Sequence, residues 1–360
     1  MFNCALFRVA REAAELTQRN VADATGYDQA EISRWERGLR EPSEAQIETL
    51  ATTLTIAPQL LVESIPVAEP VHRSTRIESK RVQRKVNGRL ELTRIALARL
   101  LSDIDVDAPF SFPTFEDPGP RDPELTANAI RRVWRIPDGP ITSLAHYLEA
   151  AGAVVVKADF GSDAIIAAFE SLPGNSRWFF LNSRATDNAR CRFSLAHELG
   201  HAVLHWDRFD APVGTDAERE AHKFAAALLM PAADLRRELA VSGLAIGELV
   251  EIGERWGVSP QALLMRAEDL GVISRHQKGR HFRRLNAKGV LRVGLVDVPP
   301  EVPRLIEQAL SLQRSENGYS ETDLASIAGL PLDRLADFAP DYFRSEAVLR
   351  PRLSLVDPSR

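Results

Sequence analysis

The chain has 360 residues, 44% of them hydrophobic and 26% charged. That length suggests two to three domains, and the balance excludes wholesale disorder, collagen and a coiled-coil rod. The net charge is −5, so any nucleic-acid contact must come from local patches. The longest apolar runs, such as 225–230, are too short to cross a bilayer, and no signal-peptide pattern opens the sequence. Two cysteines, Cys4 and Cys191, make no disulfide framework and point to a reducing cytoplasm.

Residues 1–62 read as short helices. Gln18–Ala24 is a short helix, Gly26 suits a turn at positive φ, and Asp28 is a candidate N-cap for a helix running to about Arg37, with Gly38 ending it. Ala22, Ile32 and Trp35 supply packing between them. Leu16-Thr17-Gln18, Ala22, Gly26, the run Ile32 to Gly38 and Pro42-Ser43 resemble the phage-repressor (Xre-type) helix-turn-helix domain. The resemblance implies a five-helix domain whose second motif helix enters the major groove of double-stranded DNA. By position it places Gln29, Ala30 and Arg34 on the bases and Gln18 on a phosphate, and it pairs Arg11 with Glu36. Charge argues the other way. Residues 1–62 hold six Lys/Arg against nine acids, whereas phosphate neutralisation dominates DNA affinity. A protein-interaction module is the competing reading.

Residues 63–123 read as a connection. Glu63–His72 contains Pro66 and Pro70. His72–Arg99 carries nine Lys/Arg against two Glu, a local +7 able to supply the missing charge or to form a solvated face. Its second half, through Leu100 and Leu101, has helical periodicity. Residues 107–123 hold five prolines and suit a second linker or an irregular wrap.

From Leu125 the pattern mixes. Ser143–Ala151 reads as helix, and Ala153–Val156, Ile165–Phe169 and Trp178–Leu181 read as strands, the last two separated by Pro173-Gly174. Ser194–Trp206, with Ser194 as N-cap, and Ala217–Leu229 are the strongest later helices. The first contains His197-Glu198-Leu199-Gly200-His201. Four residues apart on a helix, both imidazoles can reach one Zn²⁺, and Glu198 is angled to serve as general base on the attacking water. With eight histidines and fifty acids in 360 residues, chance supplies roughly 0.02 such patterns.

A catalytic zinc needs a third protein ligand. Asp207 and Leu204 depart from the extended metzincin pattern. His205 is on a similar face, but three ligands on one straight helix would spread over about 12 Å. The next helix offers Glu218 and Glu220, which flank its buried face at similar angles, so the wheel does not choose. Residues 192–201, Glu220 to Ala226 and Leu228-Leu229-Met230-Pro231, preceded by Phe180-Leu181-Asn182, resemble the ImmA/IrrE family of zinc metallopeptidases over about residues 125–275. The resemblance implies Glu220 as third ligand, with Glu218 in reserve, Zn²⁺ as cofactor and a repressor or other regulator as protein substrate in a stress response. His222 stands where many members have Asn. His205, Arg190 and Arg192 are candidate oxyanion partners, and Cys191 is a candidate reactive thiol or a plain buried one.

The remainder is helical. Residues 245–272 read as short helices, Arg275–Arg292 carries seven Lys/Arg and no acid, and Gly318–Leu335 suits a small helical hairpin, in spacing like a helix-turn-helix. The expected architecture is therefore multidomain and mainly α with an α+β core: a helix-turn-helix domain at 1–62, a basic connection at 63–123, a zincin-like domain with a small sheet at 124–275 and a helical region at 276–360. The expected function is a cytoplasmic DNA-binding regulator, possible as a homodimer, with zinc endopeptidase activity. The alternative keeps the regulator but makes the zinc site structural or sensory.

Overall fold

The computed structural model describes residues 1–65, 79–113, 122–171, 176–205, 215–240, 244–289 and 296–344. The Pro66/Pro70 segment, Pro173-Gly174 and the stretch 290–292 lie outside those residues, as do Trp206, Asp207, Pro118 and Pro120.

The N-terminal region holds α1 (Cys4–Ala13), α2 (Gln18–Thr25), α3 (Gln29–Glu36), α4 (Glu44–Leu54) and a 3₁₀ turn at Pro58–Leu61, which stands where a fifth helix was expected. Thr17 caps α2 in a reciprocal box with Asn20, and Gly26 ends it in the left-handed region at φ 76°. Asp28 is the N-cap of α3, though its side chain makes no capping hydrogen bond. Arg11 grips Glu36 with two hydrogen bonds of 2.8 and 2.7 Å, tying α1 to the end of α3.

The basic stretch becomes α5 (Lys80–Leu101), whose cationic first half is largely exposed and whose second half is deeply buried. Val86, Leu90, Ile95, Leu97 and Leu100 join Leu6, Phe7, Leu50 and Leu60 in one hydrophobic core. A Cβ at Gly88 would stand 2.7 Å from the Ala13 nitrogen and 2.8 Å from the Val9 oxygen. Only glycine lets α5 lie that closely across α1.

Next come α6 (Pro123–Val133), α7 (Leu144–Ala150), β1 (Val154–Ala158), β2 (Ala167–Ser171) and β3 (Arg177–Asn182). The sheet has the order β1-β3-β2, with β1 parallel and β2 antiparallel to β3. Both faces are covered, which explains the unbroken apolar runs Ala153–Val156 and Trp178–Leu181. Val155, Phe169, Phe179 and Leu181 face one core. Val154, Val156, Ala168, Trp178 and Phe180 face the other, which they share with α1, α5 and the C-terminal helices. Phe110 and Phe112 are buried on the first side, so this part of the proline-bearing stretch is an irregular wrap.

Helix α8 (Asn188–Leu204) starts six residues before the expected Ser194, because Asp187 accepts from the Arg190 amide and caps it there. It crosses α9 (Thr215–Leu229) at Gly200, where a Cβ would lie 3.0 Å from the Ala221 Cα and 3.1 Å from Phe224. Then follow α10 (Ala232–Ala240), α11 (Ile246–Trp256), α12 (Pro260–Asp269) and α13 (Arg275–Ala287), which buries only Leu285.

The C-terminal region returns across the molecule. Glu301, 1% exposed, accepts from Arg192 of α8 at 2.5 Å and from the Ala145 amide at 2.9 Å. Buried Glu149 accepts from the Arg304 and Leu305 amides and so caps α14 (Leu305–Asn317). Burial pushes the Glu149 carboxyl up to about 8. The expected hairpin is α15 (Glu321–Ala328) and α16 (Leu332–Ala336), followed by α17 (Pro340–Arg344). Leu324, Ala328 and Leu335 are spent in the core shared with α5. None of the described helices is long and apolar enough to span a membrane.

Candidate metal centre and DNA-reading face

One turn of α8 separates His197 from His201, and the two Nε2 atoms stand 3.1 Å apart. The close crossing at Gly200 brings the first turns of α9 over them. Glu218 Oε2 lies 3.4 Å from His197 Nε2, and Oε1 lies 3.4 Å from His201 Nε2. Two atoms each about 2.0–2.1 Å from one zinc at a tetrahedral angle are about 3.3–3.4 Å apart. All three separations are within a few tenths of that edge. Glu218 Oε1 is buried and faces the His201 ring at that long distance of 3.4 Å, so a cation would satisfy it better than the imidazole does. His197, His201 and Glu218 thus fit a His₂Glu site, and each offers one ligand atom to a common point.

Glu220, the carboxylate implied by the resemblance, sits elsewhere. Its Oε2 is 2.9 Å from His205 Nε2, and His205 Nδ1 is 3.1 Å from His201 Nδ1. If His201 turns an Nε2 lone pair toward a cation, its Nδ1–H donates to His205, and the His205 Nε2–H donates to Glu220. Buried His205 and half-buried Glu220 are thus placed to hold one of the imidazoles in its tautomer.

The electrostatics follow. Burial raises Glu198; the His197 imidazole offsets part of the rise, the Glu218 charge adds to it, and the carboxyl stands at about 7. Burial also acts to raise Glu218, but hydrogen bonds from both imidazoles outweigh it and bring the group down to about 2. Burial opposes a proton on His197, yet the Glu218 hydrogen bond and the Glu198 charge outweigh it and raise that imidazole. His201 is lowered by burial. The cluster therefore keeps one ionised carboxylate against imidazoles that compete for a single positive charge.

The remaining candidates have other surroundings. Arg192 is spent on Glu301 and on the Ile141 and Thr142 carbonyls. Arg190 is exposed, and buried Cys191 has its thiol raised by burial, which disfavours the thiolate. His222 rests against the Phe193 ring at 4.8 Å. Asn182, 2% exposed, closes β3 by donating to the Ser162 and Ile165 carbonyls. The sequence missed the roles of Glu301 and Glu149; two acids next to no recognisable motif gave no signal.

On the N-terminal domain, Gln29, Ala30 and Arg34 are exposed along α3, and Gln18 opens α2 beside them. Arg34 donates to Glu31, which also holds Arg40. Gln18 and Gln29 line a common cleft of about 840 Å³.

A helix-turn-helix domain model matches residues 5–63, and a peptidase model of family M78, described as the IrrE N-terminal-like domain, matches residues 148–268. No curated protein matches the chain. The fold and the matches give the chain a helix-turn-helix domain of the DNA-binding type and a peptidase-family domain. In particular, the chain joins a helix-turn-helix domain to a domain of the ImmA/IrrE type.

Proposed function

We propose that the chain is a transcriptional regulator whose IrrE-type domain is a zinc endopeptidase acting on a regulatory protein, with His197, His201 and Glu218 as ligands and Glu198 as general base. The observation that carries this reading is the convergence of three ligand atoms on one point. Bound there, zinc would supply Lewis-acid polarisation of a peptide carbonyl and of a water. The chain's own residues do the rest. Glu198 takes the proton of the attacking water and returns it to the leaving amine. Glu220 and His205 orient His201. Gln18, Gln29, Ala30 and Arg34 contact DNA, with Gln18 on the backbone and the α3 side chains on base edges. A repressor as substrate, a stress trigger, homodimerisation and a cytoplasmic setting complete the reading, and these rest on the resemblance.

The test uses the full chain and a repressor encoded beside it. The purified protein should hold about one zinc per chain. Glu198→Gln should keep the metal and lose cleavage by a factor of about 10² or more. Cleavage retained by that variant removes Glu198 as the base. Full metal without cleavage of any co-encoded repressor favours a sensory or structural site.

A further inference from the structure

The helix-turn-helix match ends at residue 63, and the domain it covers is acidic, yet the cleft beside its reading face is basic. The net positive charge comes from outside the domain, because within it Arg8, Arg11 and Arg19 are matched by Glu12, Glu15 and Glu36. Arg81, Arg84 and Lys85 of α5 form one wall, while Arg8 of α1 and Arg19 of α2 stand with them around the same cleft. The acids that also line it are largely committed. Glu36 is held by Arg11, and Glu15 by Lys85 at 2.5 Å; Glu12 lies 3.8 Å from Arg11. Arg8, Arg19, Arg81 and Arg84 are exposed, and the charges of Arg8 and Arg84 also act on Glu12 across the cleft. The first turn of α2, whose Asn20 amide Thr17 caps, opens at Gln18 into the same space.

We infer that this cleft is a backbone-binding site for duplex DNA, in which α5 supplies the phosphate contacts that the helix-turn-helix domain lacks. The inference rests on the DNA-binding reading above. Gln18 and Gln29 fix the direction of the argument. A duplex seated on them lays a phosphodiester strand along the cleft, and a strand needs a row of exposed cations rather than a closed pocket. The cleft supplies Arg8, Arg19, Arg81 and Arg84, four exposed guanidiniums suited to engage phosphates in bidentate fashion. The close crossing at Gly88 carries α5 past α1 at backbone contact, so the helix presents Arg81 and Arg84 from a rigid wall.

Affinity of the full chain for a labelled mixed-sequence duplex of about 30 base pairs, measured between about 50 and 200 mM salt, tests this. The double variant R81Q/R84Q should lower the slope of log affinity against log salt by about 2 and weaken low-salt binding about tenfold or more. R8Q/R19Q, on the other wall, should do the same. R280Q/R283Q, on exposed α13, should leave the slope unchanged. All six positions carry exposed or half-buried side chains, and an unchanged melting temperature verifies the fold. A wild-type slope kept by R81Q/R84Q, with Gln29→Ala still weakening binding, overturns the inference and leaves the DNA reading standing. An equal loss in the α13 variant also overturns it. No binding by the wild type even at low salt sinks both.

Discussion

At the scale of single residues, Glu218 and Glu220 differ by two positions and are assigned different work. Glu218→Ala should abolish stoichiometric zinc binding, because it removes one of three ligands. Glu220→Ala should keep the metal with about 10–100-fold weaker affinity, the usual cost of losing an orienting partner. Metal titration of both variants checks this, and the reverse order would restore Glu220 as the ligand. The i, i+4 spacing let the sequence place His197 and His201 side by side, because helix geometry alone brings them together. The choice of carboxylate was not legible. It depends on where α9 crosses α8, which is set by the contact of Gly200 with Ala221 and Phe224. Glu170 makes a second prediction. Burial pushes its carboxyl up to about 8, with Glu91 adding and Arg94 offsetting, and its Oε2 has no hydrogen-bond partner. An unfolded Glu titrates near about 4.3, so from there up to about 8 the unfolded chain has lost a proton that the folded chain keeps. Stability therefore falls as pH rises through that window. Glu170→Gln should flatten the decline and raise the melting temperature at pH 8; Glu149, with the same sign, leaves part of the slope in place.

At the scale of elements, α5 shows how a charge count misleads. Its first half carries the cations that made it read as a connection, and its second half is core. A signal was present in Gly88, because glycine inside a helix costs about 1 kcal/mol relative to alanine and needs a reason. The reason is the backbone of α1. Gly88→Val should destabilise the protein by about 1–3 kcal/mol or more through overpacking. Gly247→Ala in α11, where nothing lies within 4 Å of the added carbon, should be neutral or slightly stabilising. Denaturant midpoints of the two variants make the comparison, and equal effects would mean that α5 does not press on α1. Gly200 makes the same demand of α8, with a chemical readout. Gly200→Val should lower zinc affinity as well as stability, since it lifts Glu218 away from the imidazoles. The late start expected for α8 at Ser194 has a simpler origin: two capping residues were available, and burial of Ala189 and Cys191 favoured Asp187.

At the scale of the whole molecule, the sheet decides what can fold alone. The strands were readable as apolar runs, but nothing in a run says what covers each side. Isolated residues 124–275 would leave Val154, Val156, Trp178 and Phe180 without their cover and Arg192 without Glu301. That fragment should be insoluble or should melt far below the full chain, whereas the full chain should unfold in one cooperative transition. Calorimetry of both decides it; a soluble fragment with the melting temperature of the full chain would show that the second core adds nothing. Modules strung on a slack tether can be exchanged one at a time. A sheet that serves as the common wall of two compartments forbids this. A chimera with a foreign reading head must also import side chains shaped to that wall, and drift on either side of it is disciplined by the other.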